Sequence, residues 1–96
     1  MATLRFTIEG DTYDLDMERI LNVEAIAAQK VTGKKWDEIL DDADKSDAEA
    51  ITAVVWIALK RKNPDLRFTD VSFPFHEVWT NREFVGDDAD LSLIHI

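Results

Sequence analysis

A chain of 96 residues fits one domain, near the lower end of the size that buries a self-sufficient core. Its 20 acidic and 11 basic side chains leave a formal net charge of -9, so a phosphate backbone or an anionic membrane surface repels the molecule as a whole, and neither nucleic acid nor a membrane is an expected partner. The lack of cysteine removes a disulfide framework, a thiolate zinc site and a cysteine nucleophile together, while a hydrophobic fraction of 46% with 32% charged residues belongs to a folded globular chain.

The stretch from Met1 to Phe6 has no long apolar core behind a basic start, and no apolar run reaches the length of a membrane span, so the expected address is the cytoplasm. Leu4-Arg5-Phe6-Thr7-Ile8-Glu9 alternates apolar and polar, the period of a strand with one covered face. Gly10-Asp11 supplies turn chemistry and Thr12 to Asp16 alternates again. The pair reads as a β-hairpin burying Leu4, Phe6, Ile8, Tyr13 and Leu15. Two strands are marginal in water, so helices are expected to cover them.

From about Met17 or Asn22 to Thr32, Ile20, Val23, Ala27 and Val31 recur at helical spacing, Ile26 widens the stripe, and Gly33 stands where a C-cap glycine belongs. A short helix over Lys35 to Ala43 follows, with Trp36, Ile39, Leu40 and Ala43 on one side and Asp37, Glu38, Asp41 and Asp42 on the other. Ser46-Asp47-Ala48-Glu49 matches a capping box opening a third helix that runs to Lys62. Lys60, Arg61 and Lys62 complement the dipole of its last turn, and Asn63-Pro64 ends it. Within it only Thr52 interrupts the apolar run from Ala50 to Leu59, so the helix is either central in the core or open to a partner on one side. Beyond Pro64 the period is lost. Leu66, Phe68, Val71, Phe73, Phe75, Val78, Trp79, Phe84 and Val85 are scattered along a partly ordered arm, with single helical turns expected at Thr69-Asp70 and from His76 to Arg82. The expected fold is α+β and mainly helical: an N-terminal β-hairpin packed on about three helices, with an irregular C-terminal arm. One domain covers residues 1–86 and an acidic tail covers residues 87–96.

Chemical motifs are incomplete wherever they begin. Asp42, Asp44 and Ser46 have the alternate spacing that opens an EF-hand loop, but Asp47 stands where the loop needs glycine and Ala53 where it needs a bidentate glutamate, so a solvated turn is expected and no metal. Asp87, Asp88 and Asp90 read as a short polar tail. His76-Glu77 lacks the second histidine of a zincin, and a catalytic triad has only His76 and His95 to draw on, so no enzyme, no catalytic residue and no cofactor are expected. Lys34-Lys35 and Lys60-Arg61-Lys62 sit at helix ends, where the dipole already accounts for them. Trp36 reads as core, whereas Trp56 and Trp79 are open to either a core or an interface role.

Taken in order, these segments resemble the tail assembly chaperones of long-tailed bacteriophages, particularly those of actinobacterial phages. The resemblance rests on the hairpin around Gly10 and Tyr13, on Asn22-Val23-Glu24-Ala25 opening a helix that ends in Val31-Thr32-Gly33, and on the short acidic helix. It continues through Ala53-Val54-Val55-Trp56-Ile57-Ala58-Leu59-Lys60-Arg61-Lys62-Asn63-Pro64 and Phe68-Thr69-Asp70-Val71. It implies a protein of the host bacterial cytoplasm that binds the tape measure protein and keeps it soluble until tail tube subunits polymerise around it. It also implies a short form and a frameshifted longer form, absence from the mature virion, contact with the tail tube protein, and homo-oligomers or association with the longer form. Ile51, Val55, Trp56, Leu59, Phe73, Phe75 and Trp79 are the expected client or self-association contacts. The competing expectation is a small acidic regulatory module that mimics DNA, with carboxylates at phosphate-like spacing and little exposed apolar area. Leu91-Ser92-Leu93-Ile94-His95-Ile96 looks like the translation of a sequencing-adapter end, so the natural chain is expected to continue differently after about Asp90.

Overall fold

The computed structural model describes residues 3–85; the acidic tail and the ending from Leu91 lie outside them. The architecture is α+β and mainly helical, and the chain divides into two compact units, Met1–Ile20 with Phe73–Ile96, and Leu21–Ser72.

In the first unit, strands β1 (Thr3–Ile8) and β2 (Asp11–Asp16) pair antiparallel in the register Leu4 to Leu15, Phe6 to Tyr13 and Ile8 to Asp11. That register leaves Glu9 and Gly10 as the two loop residues, one position earlier than Gly10-Asp11. Their φ values of 50 and 87° are those of the mirror-image turn that matches strand twist. Leu4, Phe6, Ile8 and Leu15 are buried as the alternation requires, while Tyr13 is half-buried and stacks on Phe6. Arg5 and Asp14 join across the opposite face in a two-pronged ion pair of 2.7 and 3.0 Å.

The hairpin is extended by a strand that alternation does not announce. Strand β3 (Glu83–Val85) pairs antiparallel with β1, Leu4 opposite Phe84, in the order β2-β1-β3. Before it, helix α4 (Phe75–Thr80) packs on β1 and buries Val78 and Trp79. The expected irregular arm is therefore ordered through residue 85.

The second unit holds α1 (Asn22–Thr32), α2 (Trp36–Asp44), α3 (Ala48–Lys62) and a 3-10 turn (Phe68–Asp70), with α1 and α2 packed on each other and on α3. Gly33 closes α1 in the left-handed conformation, φ 71°, and its N–H donates to the Gln29 carbonyl. Helix α3 starts one residue later than the capping box predicts: Asp47, not Ser46, is the N-cap, its carboxylate accepting from the Ala50 N–H at 2.9 Å. Ser46 instead makes the turn into the helix at φ 68°. Lys34 ties the unit's two connections together, its ammonium 2.8 Å from Asp42 and 3.4 Å from Asp47. Helix α3 is the centre of the core. Ala50, Ile51 and every residue from Ala53 to Ala58 are buried, joined by Ile39, Ala43 and Ala28. Of the two readings open to an all-apolar helix, the central one holds over these turns.

Candidate functional site

Of the exposed large apolar residues, Val23, Ile26 and Val31 lie on α1, Leu21 at its N-cap and Phe84 on β3, and none on α3. Val23, Ile26 and Val31, the apolar residues whose spacing marks the helix, are 61, 46 and 37% exposed, and Leu21 at the N-cap is 57% exposed. The reason is a second stripe on the same helix: Ala25, Ala28, Gln29 and Thr32 also follow helical spacing, and Ala28 is the residue that is fully buried. Ala28 takes the covered side of α1, and the branched aliphatics are turned to solvent.

Beside this stripe runs an open groove of about 240 Å³ between α1 and the last two turns of α3, lined by Leu21, Val23, Ala27, Trp56, Ile57 and Pro64, with Glu24, Lys60 and Arg61 at its edge. Two interactions fix its shape. Trp56 is buried, donates from Nε1 to the Leu66 carbonyl at 3.0 Å and makes a T-shaped contact with Phe68, ring centres 5.6 Å apart, so the segment after Pro64 holds the indole in place. Arg61 clamps α3 to α1 by donating from Nε and Nη2 to the two Glu24 carboxylate oxygens at 2.8 and 2.7 Å. Glu24 also accepts from the Leu21 N–H at 2.8 Å. The Arg61 hydrogen bonds first, then the Leu21 N–H and the neighbouring positive charges, hold the Glu24 carboxyl below its usual range against the opposing effect of burial. The Lys60 ammonium stands 4.9 Å from the centre of the Trp56 ring.

Apolar floor and charged edge suit an apolar side-chain stripe better than a reacting small molecule, since the volume falls below the roughly 300 to 1,000 Å³ common for small-molecule sites. A second hollow, in the sheet unit, is polar: Arg5, Thr7, Thr12, Asp14, Asn81 and Glu83 line it with Phe6, and its Arg5 and Asp14 are joined to each other. Among the described residues no group of three or more His, Cys, Asp or Glu is placed to hold a metal ion. The acidic turn read as an incomplete calcium loop is bridged by Lys34, and His76 lies on α4 with Nδ1 3.5 Å from the Thr80 hydroxyl.

The expected contact residues fall largely elsewhere. Ile51, Val55, Trp56 and Trp79 are buried, and Leu59, Phe73 and Phe75 are half-buried. Trp56 alone of the seven lines the groove, as its wall. Phe73 and Phe75 lie close together, ring centres 6.4 Å apart, and with Trp79 they belong to the sheet unit. Apolar density along α3 marked the core because the best-packed helix is also the greasiest. The exposed residues Leu21, Val23 and Ile26 carried a signal only in the competition between the two stripes of α1. Among the described residues no helix is long and apolar enough to cross a membrane. Comparison with family models, curated proteins and solved structures returns no match to the chain.

Proposed function

We propose that the chain is a non-catalytic binding protein that takes an amphipathic helix of a client polypeptide on the exposed face of α1 and in the groove beside it, acting as a phage tail assembly chaperone for the tape measure protein. The observation that carries this reading is the exposed Leu21 and Val23 lining a groove walled by Trp56, with Ile26 and Val31 exposed on the same helix. Several exposed aliphatics on one short helix beside an apolar groove suit a partner, and a helix laid into an apolar groove is a recurring mode of peptide recognition. The order of segments that resembles the phage chaperones supplies the identity of the client, together with the host cytoplasm as its setting, the tail tube protein as a second partner and a frameshifted longer form as a companion chain.

The patch is small. An 11-residue helix is about 16 Å long, so one face covers far less than the roughly 800 Å² per partner of a standard interface. Each copy then grips weakly, and a long client is kept soluble by many copies acting together. A net charge of -9 keeps such a coated assembly dispersed. The DNA-mimic reading draws on the outer face of α2, where Asp37, Glu38, Asp41 and Asp44 are exposed, but it predicts a polar exterior, which the α1 face contradicts.

Co-expression with the tape measure protein tests the proposal. The parent chain should raise the client's soluble fraction several-fold, and the double variant Val23→Ser/Ile26→Ser should lose that effect while keeping its thermal midpoint. Equal protection by parent and variant would remove the α1 face as the site.

A further inference from the structure

The groove's edge and the molecule as a whole carry opposite charge. Although the chain is at -9, the lining residues bring Lys60 and Arg61 against the single carboxylate of Glu24, which is already joined to Arg61 by two hydrogen bonds. Lys30 continues the groove side of α1 one turn beyond Ala27, while Asp65 follows Pro64 as an opposing acid. Of this unit's other acids, Asp47 and Glu49 stand at the start of α3, and Asp42 of α2 is joined to Asp47 there through Lys34. From Ala48 to Lys60 the helix advances about 18 Å, roughly twice the Debye length at physiological salt. Those carboxylates are therefore largely screened at the groove. The helix dipoles leave no net bias either, because the positive start of α1 and the negative end of α3 meet at the same groove. Side-chain charge decides, and there it is positive.

We infer that the groove selects an amphipathic helix whose apolar stripe is bordered by carboxylates, so that it recognises acidic-flanked client segments despite the acidity of the protein that carries it. This deepens the client-helix reading of the same site and rests on it. Carboxylates beside the stripe would meet Lys60 and Lys30 while the stripe covers Val23, Ile26 and the Trp56 wall. A basic-flanked helix would bring like charge against the same lysines.

Two designed helical peptides separate the alternatives. They share one stripe of Leu at i, i+3, i+4 and i+7 and differ only in flanking Glu or Lys, and each is labelled for fluorescence anisotropy against the full chain. The Glu-flanked peptide should bind about tenfold more tightly at low ionic strength and lose that margin as salt is added. Lys60→Glu should abolish or invert the preference; Lys30→Glu, on the other helix, should reduce it and serves if the first variant does not fold. Equal binding of both peptides, or tighter binding of the Lys-flanked one, overturns the charge selection and leaves the helix groove standing. Failure of both peptides to bind overturns the groove along with it.

Discussion

Helices α1 and α3 belong to the same compact unit and both are rich in apolar residues, yet they treat those residues in opposite ways. Helix α3 hides Ile51, Val54, Val55, Trp56 and Ile57, whereas α1 buries Ala28 and turns Val23, Ile26 and Val31 outward. Side-chain size matches the difference. Where two helices must come close, a stripe of Ala and Thr fits the gap, and a stripe of branched aliphatics on the same helix is displaced to the other side whatever its hydrophobicity. Hydrophobic content ranks residues by their gain on burial, and steric fit decides which of them obtain it.

Truncation at matched positions is the largest test of this contrast. Ile51→Ala should cost about 3 kcal/mol in urea unfolding, because a fully enclosed side chain leaves a cavity. Ile26→Ala should fall within about 0.5 kcal/mol of the parent, since little packing is lost at an exposed helix position. Similar losses at both positions would break the comparison. Next in size, Ala28→Leu should destabilise by about 2 kcal/mol by forcing α1 away from its neighbours, whereas Ala28→Gly loses less. If Ala28→Leu is neutral, close approach is not what selects the small stripe.

The clamp between the two helices gives a smaller, pH-dependent effect. Glu24→Gln should lower stability by about 1 kcal/mol at neutral pH, as a partly covered two-pronged ion pair is weakened. The folded-state pKa of Glu24 is depressed, so its contribution is complete above the unfolded value, 4.5, and is lost as pH falls through the folded value. Thermal midpoints of parent and variant should therefore converge as the pH falls through the depressed folded-state value of Glu24. A gap that persists to low pH would assign the effect to packing. The smallest change concerns the entry to α3. Ser46→Gly should stabilise by about 0.5 kcal/mol, because glycine accepts a φ of 68° without the cost a Cβ brings.

Local chemistry was enough to locate most elements. Alternation in Leu4 to Ile8 and Thr12 to Asp16 marks both strands, and Gly33 and Asn63-Pro64 mark the ends of α1 and α3. The errors are of two kinds. One is a choice between neighbours that local rules rank equally: Ser46 against Asp47 as cap, Gly10-Asp11 against Glu9-Gly10 as loop, and the two stripes of α1. The other is distance along the chain. Glu83-Phe84-Val85 has no pattern of its own and becomes a strand by pairing with Thr3 to Arg5, and Lys34 shows its use only once Asp42 and Asp47 are beside it. The candidate groove shares both difficulties, since it needs the α1 face to be chosen and Trp56 to be fixed by the Leu66 carbonyl.

The position of β3 sets the order in which a newly made chain can complete its parts. Leu21–Ser72 is continuous, so the helical unit has all its residues once Ser72 has left the ribosome, while the sheet still lacks its third strand. Strands β1 and β2 can close within microseconds of synthesis through their two-residue loop, but a lone hairpin of this length is marginal until residues 83–85 arrive. Throughout that interval one edge of β1 lacks its Glu83–Val85 partner, so a pause in synthesis between Ser72 and Glu83 would prolong the lifetime of an open strand edge.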